Sequence, residues 1–294
     1  MIYQREIIAK AEEWEVSPNT TEKDYVLGHF LNCFFNFREN RNLFVFKGGT
    51  CLRKCYFPDY RFSEDLDFTL LDKSYLLDEK WIAEITDLCT QSTGIRFHLI
   101  RFEKKQFKDV PKGYHFKIAF WGPNHNQNTA PPPPERWHSK IEIDFSFDEE
   151  LFFPINYLPI QHLYSDNEKV KNQAIPVYNL NEILTEKVRA FYQRNYKAPR
   201  DYYDVWYLLN HCEFDDWSLI NKAFIKKCKL KNVIANPDIF LDEQVYSSLK
   251  KSWQLSIAHH LPKGKLPNFD DIWYYLKDNL FVNYFNLNSN FESP

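Results

Sequence analysis

Two aspartates in one short apolar stretch are the residues of this sequence best placed to do chemistry. Asp65 and Asp67 are two positions apart, and residues at that spacing on a β-strand point to the same face. Neighbouring carboxylates repel each other unless a cation or a proton lies between them. Carboxylate oxygens are hard ligands that suit Mg²⁺, which proteins often bind together with phosphate groups. The pair therefore predicts a divalent-metal site on a strand.

A pair of glycines precedes these aspartates. The Lys47-Gly48-Gly49-Thr50 segment joins a predicted strand, residues 43–46, to a predicted helix, residues 51–57. Two glycines permit a sharp turn and leave the first amides of the helix open to a phosphate group. Thr50 would cap this helix or bind a phosphate oxygen. The alternative to a phosphate site is a purely structural turn beside a solvated acidic strand. The glycine segment and the aspartate pair occur in one strand–helix–strand unit, however, and this combination favours a phosphate site next to a metal site.

A third acidic position lies in a stretch where apolar and acidic residues alternate strictly. Residues 141–145 predict a strand that carries Glu142 and Asp144 on one face. If this strand lies beside the strand of Asp65 and Asp67, Asp144 joins the metal site, and Glu142 is the weaker candidate. An edge strand with a solvated acidic face is the alternative.

The composition is that of a globular protein and gives no global signal for nucleic-acid binding. Hydrophobic residues make up 44% of the 294 residues, charged residues 26%, and the net charge is −3. The six cysteines lack the spacing of a zinc site, which indicates small buried side chains in a reducing compartment. The polar start of the chain is unlike a signal peptide, and no apolar run reaches the roughly 18 residues of a membrane span. We therefore expect a cytoplasmic protein that does not enter a membrane.

The periodicity of the apolar residues predicts an α+β chain of two domains. Residues 1–177 are expected to form a sheet with helices, and residues 178–294 a helical domain. Thr21 and Asn181 are the predicted caps of their helices. The tail, residues 283–294, is expected to be loosely held. The predicted strands are residues 43–46, 65–70, 95–102, 114–121, 141–145 and 174–178, and the predicted helices are residues 21–37, 51–57, 78–90, 181–195, 199–210, 217–229, 241–258 and 270–280.

The two N-terminal motifs resemble those of a known enzyme family. The Lys-Gly-Gly-Thr segment at residues 47–50 and the Arg-Phe-Ser-Glu-Asp-Leu-Asp-Phe segment at residues 61–68 look like the AbiEii/AbiGii toxin family of nucleotidyltransferases, within the DNA polymerase beta-like superfamily. The resemblance implies a nucleotidyltransferase fold, with a mixed, mostly antiparallel sheet and a C-terminal helical bundle that closes the cleft. It further implies transfer of a nucleoside monophosphate from an NTP to an acceptor, with release of pyrophosphate. It also implies Mg²⁺ or Mn²⁺ as cofactor, and a bacterial toxin–antitoxin or abortive-infection system with a cognate antitoxin as partner.

The resemblance assigns roles to residues in both predicted domains. Asp144 corresponds to a third acid that binds metal and helps to activate the attacking hydroxyl. The predicted metal ligands are Asp65, Asp67 and Asp144. The predicted catalytic residues are these three together with Lys187 and Asp204. The predicted nucleotide-binding residues are Lys47, Gly48, Gly49, Thr50, Ser63, Lys187 and Arg200.

The charged residues of the helical half resemble the second signature of the same family. Lys187, on the helix of residues 181–195, would neutralise the triphosphate as a mobile point charge. Asp204 would position Lys187 or Arg200 through a charged hydrogen bond. Asp201 is favourable in the first turn of its helix through the helix dipole alone. Ion pairs on a helix surface are the alternative for all of them.

A local excess of cations in the helical half bears on the acceptor. It would form a basic surface that binds the phosphates of RNA, although a solvated lysine face is the alternative. Because some members of the toxin-like family modify tRNA acceptor ends, the predicted acceptor is RNA, and specifically the tRNA 3′ end. Transfer to a protein target and nucleotide binding without catalysis are the alternative functions. The cations concerned are Lys222, Lys226, Lys227, Lys229 and Lys231, with Arg189, Arg194, Lys197 and Arg200 nearby in sequence.

Overall fold

The computed structural model describes residues 1–107, 110–126, 128–170, 174–194, 198–235, 237–280 and 285. The chain divides into two compact units, of which the first comprises Met1–Glu149 and Ile155–Tyr178. The second comprises Glu150–Pro154 and Asn179–Pro294, so that a five-residue segment leaves the first unit and the chain then returns to it. Lys197, the predicted helix end at Asn195 and, apart from Phe285, the predicted loose tail lie outside the described residues.

The first unit contains a mixed sheet, which has seven strands in the described part of the chain. Its order is β3-β4-β5-β2-β1-β7-β6. The β2/β5 and β1/β7 pairs are parallel and the other neighbouring pairs are antiparallel, which confirms the predicted mixed, mostly antiparallel sheet. The strands are β1 (Phe44–Lys47), β2 (Asp65–Leu70), β3 (Arg96–Phe107), β4 (Val110–Trp121), β5 (Lys140–Ser146), β6 (Asn156–Leu158) and β7 (Ile175–Val177).

Two of the three predicted helices of the first unit begin earlier than expected, and the third extends to Thr93, three residues beyond its predicted end. Pro18 occupies the first helical position of α2, where its fixed backbone angle suits a helix, and the Thr20 amide donates to Ser17 Oγ at 3.0 Å. Ser17 is therefore the cap of α2, and the predicted capping role of Thr21 is wrong because Thr21 lies inside the helix. These helices are α1 (Gln4–Glu13), α2 (Pro18–Asn36), α3 (Asn40–Leu43), α4 (Gly48–Cys51) and α5 (Glu79–Thr93).

The two faces of the central strands differ sharply in polarity. One face is aromatic, with Phe68 of β2 and Phe145 of β5 stacked at a centroid distance of 5.2 Å. Phe34 of α2 stacks on Phe68 at 4.5 Å, and Trp81 of α5 lies edge-on to Phe145 at 5.6 Å. Burial of these rings against α2 and α5 fixes the register of the strands, since a slip of one residue would turn every ring to the opposite face. The alternate residues of β2 and β5 therefore carry their polar side chains on the other face.

A buried charge network ties α2 to the helical turns that continue α4. Asp24 Oδ1 accepts from Arg53 Nε at 3.0 Å, and its Oδ2 accepts from Lys54 Nζ at 2.6 Å. The Tyr164 hydroxyl donates to the same Oδ2 at 3.0 Å. All of these side chains are buried, so the carboxylate is held by two cations in a place where water does not screen them.

Helices make up the regular secondary structure in the described part of the second unit, as predicted. Phe191 of α6 stacks on Tyr202 of α7 at 4.2 Å, and Tyr202 stacks on Trp273 of α10 at 6.1 Å, so the core of this unit is largely aromatic. Asn179 caps α6 by accepting from the Asn181 amide at 2.9 Å, so the prediction of Asn181 as the cap is wrong. The helices are α6 (Leu180–Gln193), α7 (Pro199–His211), α8 (Trp217–Leu230), α9 (Glu243–Ile257) and α10 (Phe269–Asn279).

Across the residues described in either unit, no helix combines the length and the apolar composition required to cross a bilayer.

Candidate active site

Strand pairing brings the three predicted metal ligands to one face of the sheet. In the parallel pairing of β2 with β5, Asp67 lies opposite Asp144 and Asp65 lies opposite Glu142. Directly paired residues share a face, and adjacent strands are about 4.8 Å apart. All four carboxylates are partly exposed on this polar face. Asp65, Asp67 and Asp144 thus form a set of hard oxygen donors whose chemistry fits a divalent cation.

Asp144 has two cationic or hydrogen-bonding neighbours that the sequence prediction missed. His115 of β4 lies directly opposite Asp144, with its Nδ1 3.0 Å from Asp144 Oδ1. Lys105 of β3 forms an ion pair with the same carboxylate. No spacing in the sequence links these three positions, because only the pairing of β3, β4 and β5 brings them together. His115 and Lys105 restrict the orientation of the carboxylate, and the ammonium group of Lys105 offsets its charge.

Glu142, the weaker candidate, has a different environment on the same face. Its Oε1 accepts from Lys117 Nζ at 2.5 Å, and this hydrogen bond lowers the pKa of Glu142. Its side chain is 40% exposed, so the pair is in contact with solvent. Glu142 therefore lies close to the predicted metal ligands, but its own carboxylate is already paired with a lysine.

Gly48 brings the backbone against Asp67. The helix α4 begins at Gly48, directly after β1, so the glycine pair forms the first helical turn and does not precede the helix as predicted. Gly48 has a φ of +82°, a region that glycine adopts readily and other residues rarely adopt. A Cβ atom at this position would lie 2.4 Å from Asp67 Oδ2. Lys47, the last residue of β1, is paired with Asp67, and its Nζ is 3.6 Å from Glu149 Oε1.

Gly49 lies next to Ser63 and to an arginine that the sequence prediction did not include in the site. A Cβ atom at Gly49 would lie 2.9 Å from a guanidinium nitrogen of Arg61 and 3.1 Å from Ser63 Oγ. Glycine at this position therefore leaves room for both side chains. Arg61 is buried, and it places a permanent positive charge beside the turn that was predicted to bind phosphate.

Thr50 uses its hydroxyl within the protein. Its side chain is buried, and Oγ1 donates to the backbone carbonyl of Asp65 at 2.5 Å. This hydrogen bond fastens α4 to the start of β2. The predicted capping role is wrong, since no side chain caps α4. A contact between Thr50 and a phosphate therefore depends on its backbone amide.

In the second unit, Lys187 of α6 lies between two carboxylates of α7. Its Nζ is 2.8 Å from Asp204 Oδ2 and 3.0 Å from Asp201 Oδ1. The pairing of Lys187 with Asp204 is one of the two alternatives inferred from the sequence. Asp201, attributed from the sequence to the helix dipole, is a buried partner that also accepts from Arg194. Arg200 is exposed at the start of α7. Two carboxylates thus hold the ammonium group of Lys187, whose side chain is 14% exposed.

The predicted basic surface of the second unit is smaller than the sequence suggested. Lys227 is buried, with its Nζ 2.6 Å from Glu182 Oε1 and 3.2 Å from Glu186 Oε1. Arg189 is buried as well. Both residues lie on the inner side of their helices, so neither contributes to a surface. The exposed lysines of the run are Lys222, Lys226 and Lys229.

Comparisons with known proteins show which family and which solved structures this chain is similar to. A family model described as "Nucleotidyl transferase AbiEii toxin, Type IV TA system" matches residues 29–274. Curated proteins gave no match. The fold is similar to that of MenT4, a nucleotidyltransferase toxin from Mycobacterium tuberculosis H37Rv, with a TM-score of 0.58 and 17% identity over 95% of this chain and 88% of that chain. It is also similar to JHP933 from Helicobacter pylori, with a TM-score of 0.53 and 15% identity over 90% of each chain.

At 17% and 15% identity, the solved structures demonstrate a common fold and nothing more. The assignment of the chain to a family rests on the family model, which covers most of its length. The sequence resemblance stated from the glycine segment and the Asp65–Asp67 pair is confirmed by this match. The chain belongs to the AbiEii family of nucleotidyl transferase toxins of type IV toxin–antitoxin systems, and it is a nucleotidyltransferase.

Proposed function

We propose that this nucleotidyltransferase transfers a nucleoside monophosphate from an NTP to the 3′ end of an RNA, with tRNA as the acceptor. The observation that carries the proposal is the arrangement of Asp65, Asp67 and Asp144 on one sheet face beside Gly48. Phosphoryl chemistry depends on positioning and charge neutralisation more than on covalent help from the protein, and this arrangement is suited to both.

Each group of residues has a defined task in this proposal. Asp65, Asp67 and Asp144 would hold Mg²⁺ or Mn²⁺, which when bound offsets negative charge on the attacking and leaving oxygens. The amides of Gly48 and Gly49, with Ser63, would orient the triphosphate. The side chains of Lys47 and Arg61, beside the same turn, would balance its negative charge. The backbone can approach a phosphate closely at this turn because no Cβ atom is present at either glycine.

The transfer step forms one bond to the α-phosphorus of the NTP and breaks another. The 3′ oxygen of the acceptor forms a bond to the α-phosphorus of the NTP, and the bond between that phosphorus and the bridging oxygen breaks, so that pyrophosphate leaves. Asp144 accepts the proton of the attacking hydroxyl, and His115, 3.0 Å away, orients the carboxylate for this purpose. An AMP, GMP, CMP or UMP unit is thereby added to the acceptor.

Cations on the acidic face support an RNA acceptor. In the pairing of β3 with β4, Arg101 lies opposite Lys117, so both point to the same side as the carboxylates. The side chains of Arg101 and Lys105 are 64% and 47% exposed. Exposed cations next to a metal site can follow a phosphate backbone, and their contribution falls as salt concentration rises. The family also implies an antitoxin as partner.

The proposal is tested by incubating the protein with each labelled NTP, Mg²⁺, and either total tRNA or total cell protein. We expect label on tRNA, release of pyrophosphate, and loss of both products with Asp67→Asn. Label on protein alone would overturn the RNA acceptor and support a protein target. NTP binding without label on either acceptor would support an inactive nucleotide-binding module.

The substitution Gly48→Ala is expected to lower transfer by about 100-fold, because a displacement of about 1 Å at a reacting centre costs this much. The new methyl group would collide with the Asp67 carboxylate and disfavour the positive φ. Gly264→Ala is the matched control, since Gly264 has a φ of +77° but nothing within 4 Å of its Cβ position. Equal activity of the two variants would contradict the role assigned to Gly48.

For Lys187 we expect two separable effects of the substitution to Ala. The second unit should lose about 2 kcal/mol of stability, because the buried Asp201 and Asp204 lose a charged partner. The proposed contact between Lys187 and the nucleotide also predicts weaker binding of a non-hydrolysable NTP, which calorimetric titration of the folded variant measures. Lys251→Ala, at an exposed position of α9, controls for loss of a cation. Unchanged affinity and turnover in Lys187→Ala would reduce its role to an ion pair.

A further inference from the structure

Two histidines and an aspartate form a buried cluster that the transfer reaction does not use. His29 lies on α2, and His162 and Asp166 lie in the segment between β6 and β7, all within the first unit. Their side chains are 1%, 1% and 9% exposed. One donor atom from each residue lies within 4.8 Å of the other two. Imidazole nitrogens and a carboxylate oxygen are the donors of many zinc sites in proteins.

The distances in this cluster are longer than those of good hydrogen bonds to a carboxylate. His29 Nε2 is 3.3 Å from Asp166 Oδ2, and His162 Nε2 is 3.3 Å from Asp166 Oδ1. An N–H group that donates to a carboxylate at full strength approaches to about 2.7–2.9 Å when charge assists the bond. By contrast, zinc bonds of about 2.0–2.1 Å put neighbouring donors of a tetrahedron about 3.3–3.4 Å apart.

Two imidazole nitrogens of this cluster, His29 Nε2 and His162 Nδ1, have no hydrogen-bond partner among the described residues, and the first of them faces the carboxylate. His29 Nε2 is buried and makes no hydrogen bond of acceptable geometry, although it lies 3.3 Å from the Asp166 carboxylate. Leaving a buried polar atom without a partner costs free energy. A cation between the carboxylate and the two imidazole rings would give this nitrogen a bond.

The surroundings of the cluster hold its donors in place. The Tyr25 hydroxyl donates to Asp166 Oδ2 at 2.9 Å and accepts from the Ile2 amide at 3.2 Å. A Cβ atom at position 28 would lie 2.4 Å from His162 Nδ1, so Gly28 allows the imidazole ring to lie directly against α2. Hydrogen bonds of this kind to ligating groups orient them and are part of a built metal site.

We propose that His29, His162 and Asp166 bind one Zn²⁺ ion that fastens the segment between β6 and β7 to α2. Two of the three protein donors are nitrogens, which suit Zn²⁺ and disfavour Mg²⁺, so the site differs in kind from the all-carboxylate set of Asp65, Asp67 and Asp144. With three donors from the protein, the fourth position of the tetrahedron would be taken by a water, as in zinc sites that keep one open position. The ion is structural: it joins the part of the chain that returns from the second unit to the helix packed on the aromatic sheet face.

The test measures metal content and does not depend on transfer activity. The full chain is unfolded, refolded with one equivalent of Zn²⁺, freed of loose metal by gel filtration, and analysed by mass spectrometry of the metal. We expect about one zinc per chain for the wild type, consistent with a single three-residue site plus water. The loss of bound zinc in both His162→Gln and Asp166→Asn is the second expected result.

Matched variants separate this site from others. His98→Gln, which removes an exposed histidine of β3, and Asp67→Asn should both retain the zinc. Because a buried substitution can itself prevent folding, the wild type is also refolded with Co²⁺, whose visible absorption bands are intense in tetrahedral sites and weak in octahedral ones. Absence of stoichiometric zinc in the wild type, retention of zinc in both cluster variants, or octahedral Co²⁺ bands would overturn the proposal.

Discussion

Asp67→Asn should abolish nucleotide transfer, with a loss of at least about 100-fold, while the protein stays folded. Loss of the residues that merely orient metal ligands costs about 10–100-fold, so removal of a ligand itself should cost more. Asp67 lies opposite Asp144 in the β2/β5 pair and against the Gly48 backbone, where its carboxylate would contact both metal and triphosphate. Removing one negative charge from a group of carboxylates should leave the melting temperature unchanged or raise it.

Glu142→Gln is the control for this experiment. Glu142 is a carboxylate on the same face of the same strand pair, but it accepts a hydrogen bond from Lys117 and its side chain is 40% exposed. We expect this variant to keep most of its turnover at saturating Mg²⁺. Near-normal turnover of Asp67→Asn, or an equal loss in both variants, would show that the acidic face does not act through the proposed ligands.

Asp24→Asn is expected to destabilise the first unit by about 3–5 kcal/mol, the cost of breaking a buried ion pair. The change keeps the shape of the side chain but removes the charge that compensates both Arg53 and Lys54. Urea unfolding followed by circular dichroism measures the effect. Glu13→Gln, which removes the partner of Lys10 in an exposed ion pair, should change stability by less than about 1 kcal/mol. Similar unfolding midpoints for the two variants would contradict the large contribution to stability that is assigned to the buried network.

The pH dependence of stability gives an independent readout of Asp24. Burial raises the pKa of this carboxyl group, but the charges of Lys54 and Arg53 outweigh burial and hold its pKa well below its ordinary value. Its contribution is therefore fully present above the unfolded-state pKa of about 4 and is lost as the pH falls toward the lower folded-state pKa. We expect the wild type to lose stability below about pH 4 with a steeper slope than Asp24→Asn. Parallel slopes would mean that Asp24 is not the group responsible.

The sequence by itself determined the features that depend on neighbouring residues. The strand of Asp65 and Asp67 has the predicted bounds, and α7 begins at Pro199 as expected. Alternation of apolar residues and the fixed backbone angle of proline act over a few positions, so they can be recognised from the sequence without knowledge of the fold. The glycine segment and the paired aspartates were also sufficient to identify the family, because their chemistry needs those residue types close together in the chain.

Tertiary structure alone decided which distant residues meet. The choice of β5 as the parallel neighbour of β2 sets Asp144 opposite Asp67, and the choice of β4 as the next strand brings His115 to the same carboxylate. Likewise, the inward orientation of Lys227 removed it from the predicted basic surface. The register of the strands follows from burial of the aromatic sheet face, and the orientation of the helices follows from burial of their apolar sides. Residues far apart in sequence take part in both, so no short stretch of sequence specifies either one.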